Sequence, residues 1–199
     1  MLLSRLLALF IRILVGARAM WIGCKPAPNL RIYYANHTSH MDTLALWCAL
    51  PGTLRARTRP VAAKDYWGSG GFRSWFATRG FNALFIDRHA DRSAGDPLEP
   101  LHAALSRGES LIIFPEGTRR AEALPGPFKS GIFHLATRHP EAELIPVYLD
   151  NLYRSMPKGA LLPVPLTCSV RLGAPLDRRE GEAKDAFLER ARRAVVDLA

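Results

Sequence analysis

The chain has 199 residues, 48% of them apolar, which is enough to bury one substantial core and too few for two ordinary domains. Its net charge of +9 favours anionic partners, whether nucleic acid, an anionic membrane surface, or phosphorylated and CoA-like molecules. The arginines are dispersed between apolar runs, as in Arg5, Arg12 and Arg18 and again in Arg55, Arg57 and Arg59, a spacing that suits a membrane-facing surface better than a nucleic-acid arm. Three widely spaced cysteines, Cys24, Cys48 and Cys168, each in an apolar stretch, give no disulfide framework and no CxxC metal knuckle, and read as buried thiols.

In chain order, the opening segment MLLSRLLALFIRILVGARAMWIGC is apolar but interrupted by Arg12 and Arg18. It has no clean small-residue cleavage site and lacks the roughly 18 uncharged apolar residues of a spanning helix. With Arg5 and Arg12 nearly on one face and Leu2, Leu6, Leu9, Ile13 and Leu14 over the rest, residues 1–24 predict an amphipathic helix lying in a membrane interface. Packing on the core is the competing expectation. Strand-like runs follow at Arg31–Ala35, Arg59–Ala63, Ala83–Asp87, Ser110–Phe114, Glu143–Leu149 and Thr167–Leu172. Helical patterns alternate with them at Ser39–Leu50, Phe72–Thr78, Leu98–Ser106, Lys129–Thr137 and Gly181–Leu198; in the last, Phe187, Leu188, Ala191, Val195 and Leu198 trace one buried stripe. The alternation predicts that residues 25–199 form a single α/β domain, a mixed, mostly parallel sheet flanked by helices.

Within YYANHTSHMDTLALWCALP, a short strand leads through a loop into an amphipathic helix. Ser39 followed three residues later by Asp42 has the form of a capping box, which places Ser39 at the N-cap and Asp42 in the first turn. Were His37 and Asp42 both helical, five residues at about 100° each would turn them about 140° apart. With His37 in the entry loop, its imidazole can instead fold back onto the Asp42 carboxylate. Such a contact fixes the tautomer and leaves the other ring nitrogen as a base. On this segment alone a duller account stays open, in which His37 and His40 are loop residues and Asp42 only a cap. Metal ligation by the three is disfavoured, because no further ligand cluster accompanies them.

Two more strands end in polar groups: LFIDR in Asp87 and Arg88, and LIIFPEGTRR in Pro115, Glu116, Gly117, Thr118 and Arg119. Strand ends line the cleft of an open α/β sheet. Gly117 permits close backbone approach, Thr118 offers a hydroxyl, and Arg88 or Arg119 can clamp a phosphate with paired donors. Each loop also fits a plain turn with a Glu116–Arg119 surface pair.

Taken in order, NHTSHMD, LFIDR, FPEGTR and IPV resemble the four motifs of the glycerolipid acyltransferase family that includes 1-acyl-sn-glycerol-3-phosphate acyltransferases. The likeness covers about Ile32 to Asn151; His37 and Asp42 fit the family's His, four residues, Asp motif, and Phe114 to Arg119 fit FPEGTR without a substitution. The resemblance implies that His37 is the general base and Asp42 its partner. It assigns Arg88, Glu116, Gly117, Thr118 and Arg119 to the acceptor's phosphate-bearing headgroup, and Pro146 in Ile145-Pro146-Val147 to the acyl or acceptor pocket. One departure is Asn82, where the family often has a glycine just before the second motif.

The implied activity is transfer of a fatty acyl group from acyl-CoA or acyl carrier protein to the hydroxyl of 1-acyl-sn-glycerol 3-phosphate, giving phosphatidate at the cytoplasmic face of the cell membrane. No metal or prosthetic group is implied. The expected partners are a lysophospholipid, an acyl thioester and the membrane surface, with acyl carrier protein as a further candidate and no nucleic acid. Another lysolipid or glycerol 3-phosphate as acceptor, or a noncatalytic membrane-binding protein, are the alternatives; the latter would need a broken His-Asp pair.

Overall fold

The computed structural model of the chain describes residues 18–39, 41–63, 82–87, 95–152 and 168–199. The described residues include seven strands, β1 (Arg18–Trp21), β2 (Arg31–Ala35), β3 (Thr58–Ala63), β4 (Leu84–Ile86), β5 (Ser110–Ile113), β6 (Glu143–Asp150) and β7 (Ser169–Leu172). They form one sheet in the order β1-β7-β6-β2-β5-β3-β4. From β6 to β4 all neighbours are parallel, whereas β7 runs antiparallel to β6 and carries β1 parallel to itself. The helices are α1 (Asp42–Ala49), α2 (Gly52–Arg55), α3 (Glu99–Ser106), α4 (Gly131–Arg138) and α5 (Lys184–Val196).

Alternation along the strands divides the core into two layers, because successive side chains of a strand point to opposite faces. Tyr33, Ala35, Ile112, Ile145 and Val147 join Ala45, Leu46, Cys48 and Ala49 of α1 on one face. Ile32, Tyr34, Leu111, Ile113 and Leu144 meet Leu101 and Leu105 of α3, Ile132 and Leu135 of α4, and Phe187, Ala191 and Val195 of α5 on the other. Helices on both faces explain why every residue of β2 is buried, as the central strand of a covered parallel sheet must be. Cys48 and Cys168 are buried, as expected, whereas Cys24 is only half-buried, and none of the three forms a disulfide.

The single-domain, mostly parallel architecture matches the expectation, and six strands fall where the sequence placed them to within two residues. Arg18–Trp21, expected to end an N-terminal helix, form β1 instead. Their register runs Arg18↔Ser169 to Trp21↔Leu172, and Arg18 N–H donates to Cys168 O at 3.0 Å while Ile22 N–H donates to Leu172 O at 2.9 Å. This pairing covers backbone groups of β7 that an open edge would leave unmade. Residues 1–17 and the expected helix Phe72–Thr78 lie outside the described residues. No helix among the described residues is long and apolar enough to cross a membrane.

Candidate active site

The C-terminal ends of β2, β3, β4 and β5 share one edge of the sheet, because these strands are parallel. Asn36 and His37 leave β2 there, and Phe114 to Gly117 leave β5. His37 lies in the entry loop before α1, and its Nδ1 sits 2.9 Å from Asp42 Oδ2. The same Oδ2 accepts the N–H groups of Thr38 at 2.6 Å and Ser39 at 2.8 Å. With the fully buried Asp42 oxygen as acceptor, the ring proton belongs on Nδ1, so that Nε2 carries the lone pair. The capping box is only half realised. Asp42 reaches back to Ser39 N–H, but the helix begins at Asp42 with Met41 at its N-cap.

The imidazole is fixed on further sides. It stacks on the Phe114 ring at 4.2 Å between centroids and 21° between planes. His37 N–H donates to Glu116 Oε1 at 2.8 Å, and His37 O accepts from Arg120 N–H at 2.9 Å. Glu116 Oε2 in turn accepts Gly126 N–H at 2.9 Å. Burial pushes the Glu116 carboxyl above its ordinary value, against the pull of the Gly126 and His37 N–H groups. With one oxygen on the His37 N–H and the other on the Gly126 N–H, Glu116 braces the two loops.

Asn36 had no role assigned from sequence, yet it is fully buried. Its Nδ2 donates to Leu149 O at 3.1 Å and to Ala123 O at 3.3 Å, and its Oδ1 accepts Leu149 N–H at 2.8 Å. The amide thus extends the β2–β6 ladder past the last backbone pair, Ala35↔Val147, and sets where the chain turns towards His37. An amide directly before the histidine was the available signal, and only the fold shows what it meets.

The other expected residues separate. Gly117 has φ +70° and closes a turn through its N–H to Phe114 O at 3.0 Å. Thr118 is exposed and Arg119 half-buried just beyond it. Pro146, expected in the acyl or acceptor pocket, is a residue of β6. It lies buried inside β6, opposite Tyr34, with Gly173 so close on the other side that a Cβ there would come within 3.0 Å of Pro146 Cγ. Arg88 and His40 lie outside the described residues. Asn82 adopts φ +56°, a left-handed conformation that asparagine tolerates better than other side chains, so the departure from glycine costs the turn little.

His37 lines a cleft of about 1050 Å³ whose walls include Val61, Ile86, Leu98, Leu101, Ile113 and Leu135. Polar groups line other parts of it, among them Asp87, Asp96, buried His102, Lys129 and Arg138. Among the described residues no three His, Cys, Asp or Glu side chains converge to hold a metal ion.

Fold and site define an α/β enzyme with a His–Asp pair beside an apolar cleft. Residues 26–150 match the family model described as Acyltransferase, and the chain belongs to that acyltransferase family. It is 30% identical to the human protein named 1-acyl-sn-glycerol-3-phosphate acyltransferase alpha over 98% of this chain and 68% of that one. The Bos taurus protein of the same name is 29% identical, over 98% and 67%. The crystal structure of the 1-acyl-sn-glycerophosphate (LPA) acyltransferase from Thermotoga maritima shares the fold, with a TM-score of 0.71 at 22% identity, covering 98% of this chain and 78% of that one.

Proposed function

We propose that this acyltransferase moves a fatty acyl group from acyl-CoA or acyl carrier protein to the hydroxyl of 1-acyl-sn-glycerol 3-phosphate, giving phosphatidate. The observation that carries the proposal is the 2.9 Å contact between His37 Nδ1 and buried Asp42 beside the apolar cleft. His37 Nε2 takes the acceptor's hydroxyl proton as the oxygen attacks the thioester carbonyl. The carbon–sulfur bond then breaks, and the thiolate leaves with the proton returned from the imidazolium. Asp42 stabilises that imidazolium and holds its orientation. No covalent enzyme intermediate, metal or prosthetic group is needed.

The lysophosphatidate acceptor is supported by the names of the relatives and by the family motif at Gly117, Thr118 and Arg119, with Arg88 as a second proposed phosphate ligand. Membrane association at the cytoplasmic face is supported by the apolar, arginine-interrupted residues 1–17 and by an amphiphilic acceptor. The deciding experiment incubates purified protein with a panel of lysolipids and glycerol 3-phosphate, using acyl-CoA and acyl carrier protein as donors. The expected product is phosphatidate from lysophosphatidate. Transfer to other acceptors in preference to lysophosphatidate would reject the headgroup assignment, and transfer to none would reject the reaction.

A further inference from the structure

Lys129 was assigned nothing by the family motifs, yet it stands where the cleft wall meets the turn below His37. Its backbone is tied twice. Lys129 N–H donates to Pro115 O at 2.9 Å, and the preceding Phe128 is buried edge-on against Tyr34 at 6.2 Å between centroids. From that fixed root the side chain crosses Gly117: a Cβ on Gly117 would lie 2.8 Å from Lys129 Nζ and 2.9 Å from its Cε. Gly117 is therefore the residue that lets the ammonium lie flat over the Phe114–Gly117 turn, whose first ring stacks on His37.

The tip of this side chain differs from its neighbours. Arg120 is committed to Glu122 at 3.3 Å and Glu116 at 3.8 Å. Arg138, on the cleft's other rim, faces Asp96 and Glu99 at 3.9 and 3.7 Å. The Lys129 ammonium lines the cleft and has no hydrogen-bond or ion-pair partner among the described residues. Lys129 is exposed, with the end of its side chain close over Gly117 and no counterion among the described residues, so its charge is open to an anion entering the cleft.

We propose that Lys129 is a phosphate-binding residue of this cleft, receiving either the phosphomonoester of the acceptor or a phosphate of the CoA donor. The choice of these two sources rests on the acyl-transfer reading. A compact ammonium neutralises a phosphate as a point charge from several directions, complementing the planar fork that an arginine supplies.

The test measures binding, which separates it from turnover. Lys129→Met keeps the stem over Gly117 and removes the charge, and Lys129→Arg restores a charge. Calorimetric titration of the detergent-solubilised full chain uses lysophosphatidate and CoA, with monoacylglycerol and pantetheine as phosphate-free controls. Lys129→Met is expected to weaken one phosphate-bearing probe by about tenfold or more, as loss of a charge-assisted contact does, and to leave both controls within about twofold. Lys129→Arg should recover most of that loss. Loss confined to lysophosphatidate places the acceptor headgroup on Lys129, and loss confined to CoA places the donor there. Unchanged affinity for both probes, equal losses for probes and controls, or a wild type that binds neither probe would each overturn the proposal. Wild-type protein that binds a probe through Lys129 yet transfers no acyl group would reject the acyl-transfer reading alone.

Discussion

Glu116 Oε1 accepts the main-chain N–H of His37 at 2.8 Å across 79 residues of sequence, and this contact ties the two loops that form the site. Replacement by alanine leaves that N–H and the Gly126 N–H, both part-buried, without their acceptor, at a cost of about 1 kcal/mol each. Glu116→Ala is thus expected to lower stability in urea melts by about 2 kcal/mol, and Glu116→Gln, which keeps one acceptor oxygen, by less. A brace acts on the geometry of the base, so kcat should fall while acceptor KM stays within about threefold for acceptors with and without a phosphomonoester. A rise in KM confined to phosphate-bearing acceptors would return Glu116 to headgroup binding.

For the pair itself, His37→Ala and Asp42→Asn should each lower acyl transfer by about 10²- to 10⁴-fold with circular dichroism unchanged. Asp42→Asn puts an amide, with its own N–H donors, where a carboxylate now accepts three donors, so the imidazole should also lose its fixed orientation. Transfer within threefold of wild type in folded His37→Ala would remove the base from the mechanism.

Asn36 offers a separate handle on position. Asn36→Leu should destabilise the chain by about 2 kcal/mol or more, since Leu149 N–H and C=O both lose a buried partner. Activity should drop even at temperatures where the variant is fully folded, because the turn into His37 starts at this residue. Asn36→Asp should fare no better: it preserves an acceptor for Leu149 N–H but sets a carboxylate against Leu149 O. Full activity in a folded Asn36→Leu protein would show that the backbone alone fixes the loop.

The far wall of the cleft predicts a pH dependence. His102 Nδ1 lies 3.0 Å from His139 Nε2, and His139 Nδ1 lies 3.0 Å from Glu141 Oε1. Burial pushes the His102 imidazole below its ordinary value of 6.5, with Arg138 and His139 acting the same way against Asp96 and Glu99. On acidification the unfolded chain therefore takes up this proton first, so the histidine's contribution is intact above pH 6.5 and is lost as pH falls through its folded value. Thermal midpoints should decline from about pH 6.5 downwards, and His102→Gln should flatten that decline. An identical slope in the variant would assign the dependence to other groups.

Much of this arrangement was readable in advance for a physical reason. The parallel strands are short apolar runs bounded by polar turns, and His37 and Asp42 are only five residues apart, so their meeting needs one loop. The roles of Glu116, Asn36, Lys129 and Pro146 could not be read in the same way. Each depends on a neighbour far along the chain: Glu116 on His37, Asn36 on Leu149, and Pro146 on the strands either side of it. FPEGTR marks Glu116 as special without saying whether its carboxylate faces a ligand or the main chain. At Arg18–Trp21 periodicity misled, because an alternating edge strand four residues long is too brief to distinguish from the end of an amphipathic helix.

The Asn36–Leu149 bond spans 113 residues, and that span bears on when the enzyme becomes active during its own synthesis. The imidazole and its carboxylate emerge early from the ribosome and can touch within a short peptide. Glu116 emerges much later, and Leu149 later again, so a nascent chain carries the reactive pair long before anything aims it. Local contacts form quickly, whereas long-range strand pairing is slow. Acyl transfer should therefore appear together with completion of the β2–β6 pairing, and a chain arrested before Leu149 should remain silent although it already contains both members of the pair.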